Sequence, residues 1–313
     1  QDHFTVANEV VNADAISTFQ VKGGIMYDVD DNVSVFANTG YVEKPPIMDN
    51  VIYYDGTVAS DPINESFISS EAGVNFESEK FAVKVSAYNT DWKDRNLTKA
   101  VTTGQGDSGD TDVIFLKGIG QKHQGLEIEG SMKLNDMIRL DGAVSFGKWK
   151  FDGDADGLYT EYAEDAPIQT PYTYTLDGLY VGDQPQTAYV LGTTITPMDN
   201  LRLQGIFKMY DKNYADWSPD SRELSGDADR SQVWQAPGYN RLDLHASYKL
   251  PKVAGYDMTL TGHVFNALDA VYVQDAVDNS QYNGYGDKLH LPHNAEVFLG
   301  TPRYFNLGLT VNF

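Results

Sequence analysis

Along most of this chain apolar and polar residues alternate one by one, and the alternating stretches come in pairs. The last stretch is the plainest. Phe305, Leu307, Leu309, Val311 and Phe313 fall on one side, and Tyr304, Asn306, Gly308, Thr310 and Asn312 on the other. A period of two marks a β-strand with one apolar and one polar face. Leu126, Ile128, Gly130, Met132 and Leu134 alternate with Glu127, Glu129, Ser131 and Lys133, and after Asn135-Asp136-Met137 the pattern resumes in Ile138, Leu140, Gly142, Val144 and Phe146. Similar pairs run over residues 19–27 and 33–37, 68–76 and 81–87, 187–195 and 201–209, and 242–250 and 258–264. With the terminal stretch this makes about eleven strands.

The connections alternate as regularly as the residues do. Within each pair the link is short and rich in Asp, Asn, Gly or Pro, as hairpin turns require. Between pairs, near residues 43–66, 93–121, 151–184, 214–236 and 269–300, the links are several times longer. In an antiparallel up-and-down sheet this puts every short turn at one end and every long loop at the other. That is the plan of an outer-membrane β-barrel, with short periplasmic turns and long extracellular loops.

Composition narrows the choice. The chain is 41% hydrophobic, yet no window approaches the roughly 18 apolar residues of a spanning helix. Barrel strands escape that test, because they need about 9–11 residues and only every second one faces lipid. A net charge of -22 leaves no basic footprint for nucleic acid. The absence of cysteine excludes disulfides, thiolate metal sites and a thiol nucleophile. The polar faces carry mixed charge, including Arg139 with Asp141, Lys208, and Arg241, Asp243 and His245. A water-filled or plugged lumen tolerates this, whereas a packed sandwich core does not. A soluble antiparallel sheet with one solvated face is the alternative, and its many long half-apolar strands are an aggregation hazard.

Several stretches resemble the C-terminal barrel half of TonB-dependent outer-membrane receptors, particularly those of Bacteroidota-type bacteria. Residues 33–46, VSVFANTGYVEKPP, are similar to a strand rising to an aromatic-Pro loop. Residues 66–95, ending SAYNTDWKDR, resemble the hairpin that follows it. Residues 237–250 and 264–272, the latter opening VFNALD, look like the penultimate hairpin, and 305–313 like the terminal strand, with aromatics at its end and eight positions earlier. The resemblance implies an all-β antiparallel transmembrane barrel of about twenty-two strands, of which this chain supplies half. It also implies an N-terminal plug, not found ahead of Gln1, that contacts the TonB–ExbB–ExbD system during energised uptake of an iron chelate, oligosaccharide or peptide. The expected partners are then outer-membrane lipid, the remaining N-terminal part of the receptor and the outer-membrane assembly machinery, which reads the C-terminal strand. A surface lipoprotein is a further candidate. An odd strand count cannot close an antiparallel barrel, so the chain is expected to be a fragment, a processed piece or one part of a two-piece assembly. The competing functions are a passive or structural barrel (a porin or adhesin) and a soluble calcium-dependent glycan-binding module.

Two groups of residues invite chemistry. In FDGDADGLYTEY, Asp152, Asp154 and Asp156 followed by Gly157 repeat the first half of a calcium loop, where alternate carboxylates converge on a hard cation. Position twelve is Ala163 in place of the bidentate Glu, so a solvated acidic loop tip is the plainer reading. The long loops are rich in aromatics, and Tyr159, Tyr162, Tyr214, Trp217, Trp234, Tyr282 and Tyr285 are the ligand-binding candidates. Flat rings beside Asp and Asn suit sugars or aromatic ligand groups, although loop packing and an interfacial girdle also use such residues. His245 and His263 face the inner side as polar residues, and His290 and His293 share a loop without a completed site. No nucleophile–base spacing points to an enzyme.

Overall fold

The alternation is realised as one continuous antiparallel sheet in a computed structural model of the chain. The structure describes residues 3–6, 9–52, 56–60, 62–102, 111–162, 167–219, 222, 229–252, 255–280, 283 and 288–312. Eleven strands follow one another in chain order: β1 (Gln20–Asp28), β2 (Val33–Lys44), β3 (Glu65–Glu77), β4 (Phe81–Thr102), β5 (Thr111–Lys133), β6 (Ile138–Phe151), β7 (Thr187–Met198), β8 (Leu201–Asp211), β9 (Tyr239–Lys249), β10 (Asp257–Phe265) and β11 (Tyr304–Asn312). Each pairs with its neighbours in sequence, and among the described residues β1 and β11 are the two edges.

The register puts like residues side by side. Tyr27, Val35, Val74, Val85, Ile128, Val144, Tyr189 and Met209 form one unbroken row across β1 to β8. On β8 to β11 the same face carries Leu203, Leu244, Leu260, Phe305, Leu307 and Leu309, all exposed, Leu307 at 83%. Sheltering a side chain of this kind from water is worth about 1.5–3 kcal/mol. A whole sheet face of them requires an apolar solvent, which is what a bilayer supplies.

Three of the short turns are closed by their own side chains. Asp30 Oδ1 accepts the N–H groups of Asn32 and Val33, each at 2.8 Å. Asn135 Oδ1 does the same for Met137 and Ile138 at 2.9 Å. Ser78 Oγ accepts the N–H of Phe81 at 3.2 Å. These Asx- and Ser-turns close three of the five hairpins locally, and Asn32 adds a side-chain bond to the Glu77 carbonyl of β3 at 2.6 Å.

The long links differ from the sequence expectation in two places. Residues 93–121 are not a loop throughout, because β4 and β5 run on to Thr102 and from Thr111. Register shifts on either side of Arg95, with Asp94 at φ 55° and Gly118 at φ 68°, break the two-residue period there and disguise the strands. Within 151–184 a hairpin forms, Ala155–Tyr162 with Pro167–Tyr174, and its first strand adds onto the upper part of β5. Smaller pairs tie His3–Val6 to Glu9–Asn12, Asn213–Tyr214 to Gln235–Ala236, and Val273–Val277 to Glu296–Leu299. The buried apolar cluster lies at this loop end, around Leu116, Ile119, Phe151, Leu176, Leu179 and Trp217. Phe313 lies outside the described residues.

Candidate functional site

The face opposite the apolar rows is a polar wall. Lys133, Arg139, Thr194, Gln204, His245, His263 and Asn306 stand in consecutive register on β5 to β11. Neighbouring charges on this face pair: Lys84 with Glu71 at 3.4 Å, Arg139 with Asp141 at 2.7 Å, and Lys208 with Asp243 at 2.9 Å. The ring nitrogens Nδ1 of His245 and His263 lie 2.8 Å apart, which makes them a hydrogen-bonded pair across β9 and β10. Every second residue along each strand therefore lies on an ionic, polar face while its neighbours face lipid.

Above this wall the long loops fold onto one another. Trp217 is enclosed, 1% exposed, against Tyr174 at a ring separation of 5.7 Å. Tyr214 stacks on Tyr180 at 4.2 Å, and burial together with that neighbour pushes its hydroxyl pKa up to about 12. Trp234 is half-buried, and its backbone N–H donates to Asp278 Oδ1 at 3.2 Å. Of the ligand-binding candidates, Trp217 and Tyr214 thus serve packing in this arrangement. Tyr159 and Tyr162 lie in the strand Ala155–Tyr162, their side chains beyond the described part, and Tyr282 and Tyr285 lie outside the described residues.

The three aspartates of the acidic motif have separate partners. Asp154 is held by Arg230 through two bonds of 2.7 Å and also accepts the N–H groups of Leu176 and Asp177 at 3.1 Å. The guanidinium holds its carboxyl below the usual range, against the opposing effect of burial. Asp156 accepts the Thr173 hydroxyl at 3.0 Å, and Asp152 lies 3.9 Å from the Lys122 ammonium. Among the described residues no group of three or more His, Asp or Glu side chains is placed to hold a metal ion.

A second cluster was not visible in the sequence. Arg222 and Asp278 are fully buried, with Asp229 and His290 nearly so. His290 reaches Asp278 Oδ2 through Nδ1 at 2.5 Å and Asp229 Oδ2 through Nε2 at 2.6 Å. Arg222 lies 3.4 Å from Asp278 Oδ2 and donates to the Ser231 carbonyl at 2.7 Å. Burial alone depresses the His290 pKa, yet the two carboxylates outweigh it and raise it above the ordinary histidine range. These residues lie up to 68 positions apart, so no local spacing announces them.

A membrane-facing apolar surface, a charged opposite face and interlocked loops at one end define the wall of an outer-membrane β-barrel. The chain belongs to the family described as TonB dependent receptor-like, beta-barrel, whose profile matches residues 1–267. Solved structures agree on the fold. The ferric enterobactin receptor PfeA of Pseudomonas aeruginosa aligns with a TM-score of 0.61 at 14% identity, over 93% of this chain and 39% of that one. The copper transporter OprC gives 0.58 at 14%, over 91% and 38%. The ferric-catecholate import receptor Fiu of K12 E. coli gives 0.55 at 15%, over 92% and 34%. The chain thus spans less than two fifths of each of these proteins. No curated protein matches it in sequence. It is a multi-pass β-barrel wall of the Gram-negative outer membrane.

Proposed function

We propose that this chain supplies barrel wall and extracellular loops to a receptor that imports a nutrient ligand by TonB-driven transport. The observation that carries the reading is the two-faced wall capped by interlocked loops, within a family of TonB-dependent receptors. On this reading the ionic side chains of the strands line a hydrated passage and the loops stand over it. The ligand class is an iron chelate, an oligosaccharide or a peptide. Iron chelates come first for testing, because PfeA and Fiu are named for ferric chelates. A net charge of -22 disfavours a strongly anionic ligand unless the loops locally reverse it.

The test is accumulation of labelled ferric chelates, oligosaccharides and peptides by cells carrying the whole receptor, with and without TonB. Uptake of one class that disappears without TonB supports the proposal. Equal uptake in both backgrounds would transfer the protein to the passive barrels.

A further inference from the structure

We propose that Arg222, Asp229, Asp278 and His290 form a protonation-controlled latch that ties together the described parts of three long loops, those between β6 and β7, β8 and β9, and β10 and β11. The inference does not depend on which ligand is carried.

The geometry sets which groups a proton on His290 meets. Both ring nitrogens of His290 lie within hydrogen-bond distance of carboxylate oxygens, at 2.5 and 2.6 Å. A carboxylate accepts and does not donate, so with both acids ionised the imidazolium is the form that bonds to both of them. The charges then balance, with a guanidinium and an imidazolium against two carboxylates. Among the described residues, the charged groups that contact His290 are Asp278 from its own loop, and Asp229 and Arg222 from the loop between β8 and β9. Asn279 meets His290 twice: its amide oxygen accepts the His290 backbone N–H at 3.3 Å, and its amide nitrogen lies 3.3 Å from Nδ1, as does an Arg222 guanidinium nitrogen. Removing one proton sets a nitrogen lone pair against a carboxylate and leaves one uncompensated negative charge in a buried place, which is costly.

The same four residues tie three loops. Asp278 and His290 belong to the loop between β10 and β11, and Arg222 and Asp229 to the loop between β8 and β9. The loop between β6 and β7 joins through Thr175, whose N–H donates to the Arg222 carbonyl at 2.8 Å and whose hydroxyl donates to the Asp229 carbonyl at 2.7 Å. His290 also sits at φ 50°, a backbone region that non-glycine residues rarely adopt, so its segment relaxes when the side chain lets go.

The sign follows from linkage. The latched His290 binds its proton more tightly than a free histidine of pKa about 6.5. Its hold is complete below that value and is lost as pH rises through the raised one. Between the two, the ratio of open to latched loops grows by up to about tenfold per pH unit.

The test is hydrogen–deuterium exchange of the whole receptor in detergent from pH 5 to pH 10, with rates divided by the intrinsic exchange rate at each pH. The expected result is that peptides from all three loops lose protection together on the alkaline side, by up to tenfold per pH unit, while peptides from the membrane part of β5 to β8 do not change. H290Q should abolish protection at every pH. If that variant fails to fold, the wild-type profile decides alone. Flat loop protection across the range, or loss confined to one loop, would overturn the latch.

Discussion

Arg230 and Asp154 meet across 76 residues of chain, the two terminal guanidinium nitrogens each 2.7 Å from a separate carboxylate oxygen. The same carboxylate caps the N–H groups of Leu176 and Asp177, so one side chain joins the second acidic position of FDGDADG to two different loop segments.

D154N removes the charge and keeps the shape. At neutral pH the variant is expected to exchange its Leu176 and Asp177 amides faster than wild type. Because the Asp154 pKa is depressed, the stabilisation is present above the ordinary carboxylate range and disappears as pH falls through the lowered value, where the two proteins should converge. High salt should narrow the gap at pH 7, since Arg230 is half-exposed. A gap unchanged by acid or salt would show that the pair is not what holds this segment.

Opposite faces of β5 should respond oppositely to one charge. Ile128 lies in the middle of the apolar row, and its neighbour Glu129 faces the inner wall. I128K is expected to cost about 2–4 kcal/mol of folding stability in lipid vesicles, the range for a lysine at the bilayer midplane. E129K should stay within about 1 kcal/mol, as inner-wall substitutions away from the lipid do. Urea titration in vesicles measures both.

K208M should be worse than its size suggests. It leaves Asp243, whose side chain is 3% exposed, without its 2.9 Å partner, at a cost of about 3 kcal/mol. Arg241 at 3.7 Å and the Asn266 N–H at 2.9 Å remain as partial compensation. The double variant K208M/D243N should recover most of the loss, and a double-mutant cycle measures the coupling. Additive losses would exclude a working ion pair.

W217A opens a cavity in the loop core and is expected to cost about 3–5 kcal/mol there. The damage should remain at the loop end, with faster proteolysis of the loops and an unshifted unfolding midpoint for the barrel. A ligand-contacting Trp217 would instead leave the loops protected and reduce binding.

The strands were legible because burial on one face imposes a period of two, and that signal survives in residues such as Leu126 to Leu134 whatever surrounds them. It failed over residues 93–121 for a physical reason: Asp94 and Gly118 lie at register shifts, and one extra residue turns every later side chain to the other face. The loop end was legible in composition only. In sequence Trp217 is one of several loop aromatics open to either ligand contact or loop packing, and the structure encloses it. His290 reads as one of two loop histidines, with His293, that lack a completed site, and its two acids arrive from 12 and 61 residues away. Contacts of that kind depend on how loops meet, and no local spacing encodes them.

The self-closed turns have a consequence for how the sheet comes into being. Three of the five hairpins carry the groups that close them within about four residues, and the eleven strands are ordered across the sheet as they are along the chain. The chain-entropy cost of closing so short a loop is small and is met locally, before any distant partner is needed. The wall can therefore assemble as a procession of hairpins, three of them ready-made, laid one beside the next as the chain arrives at the membrane.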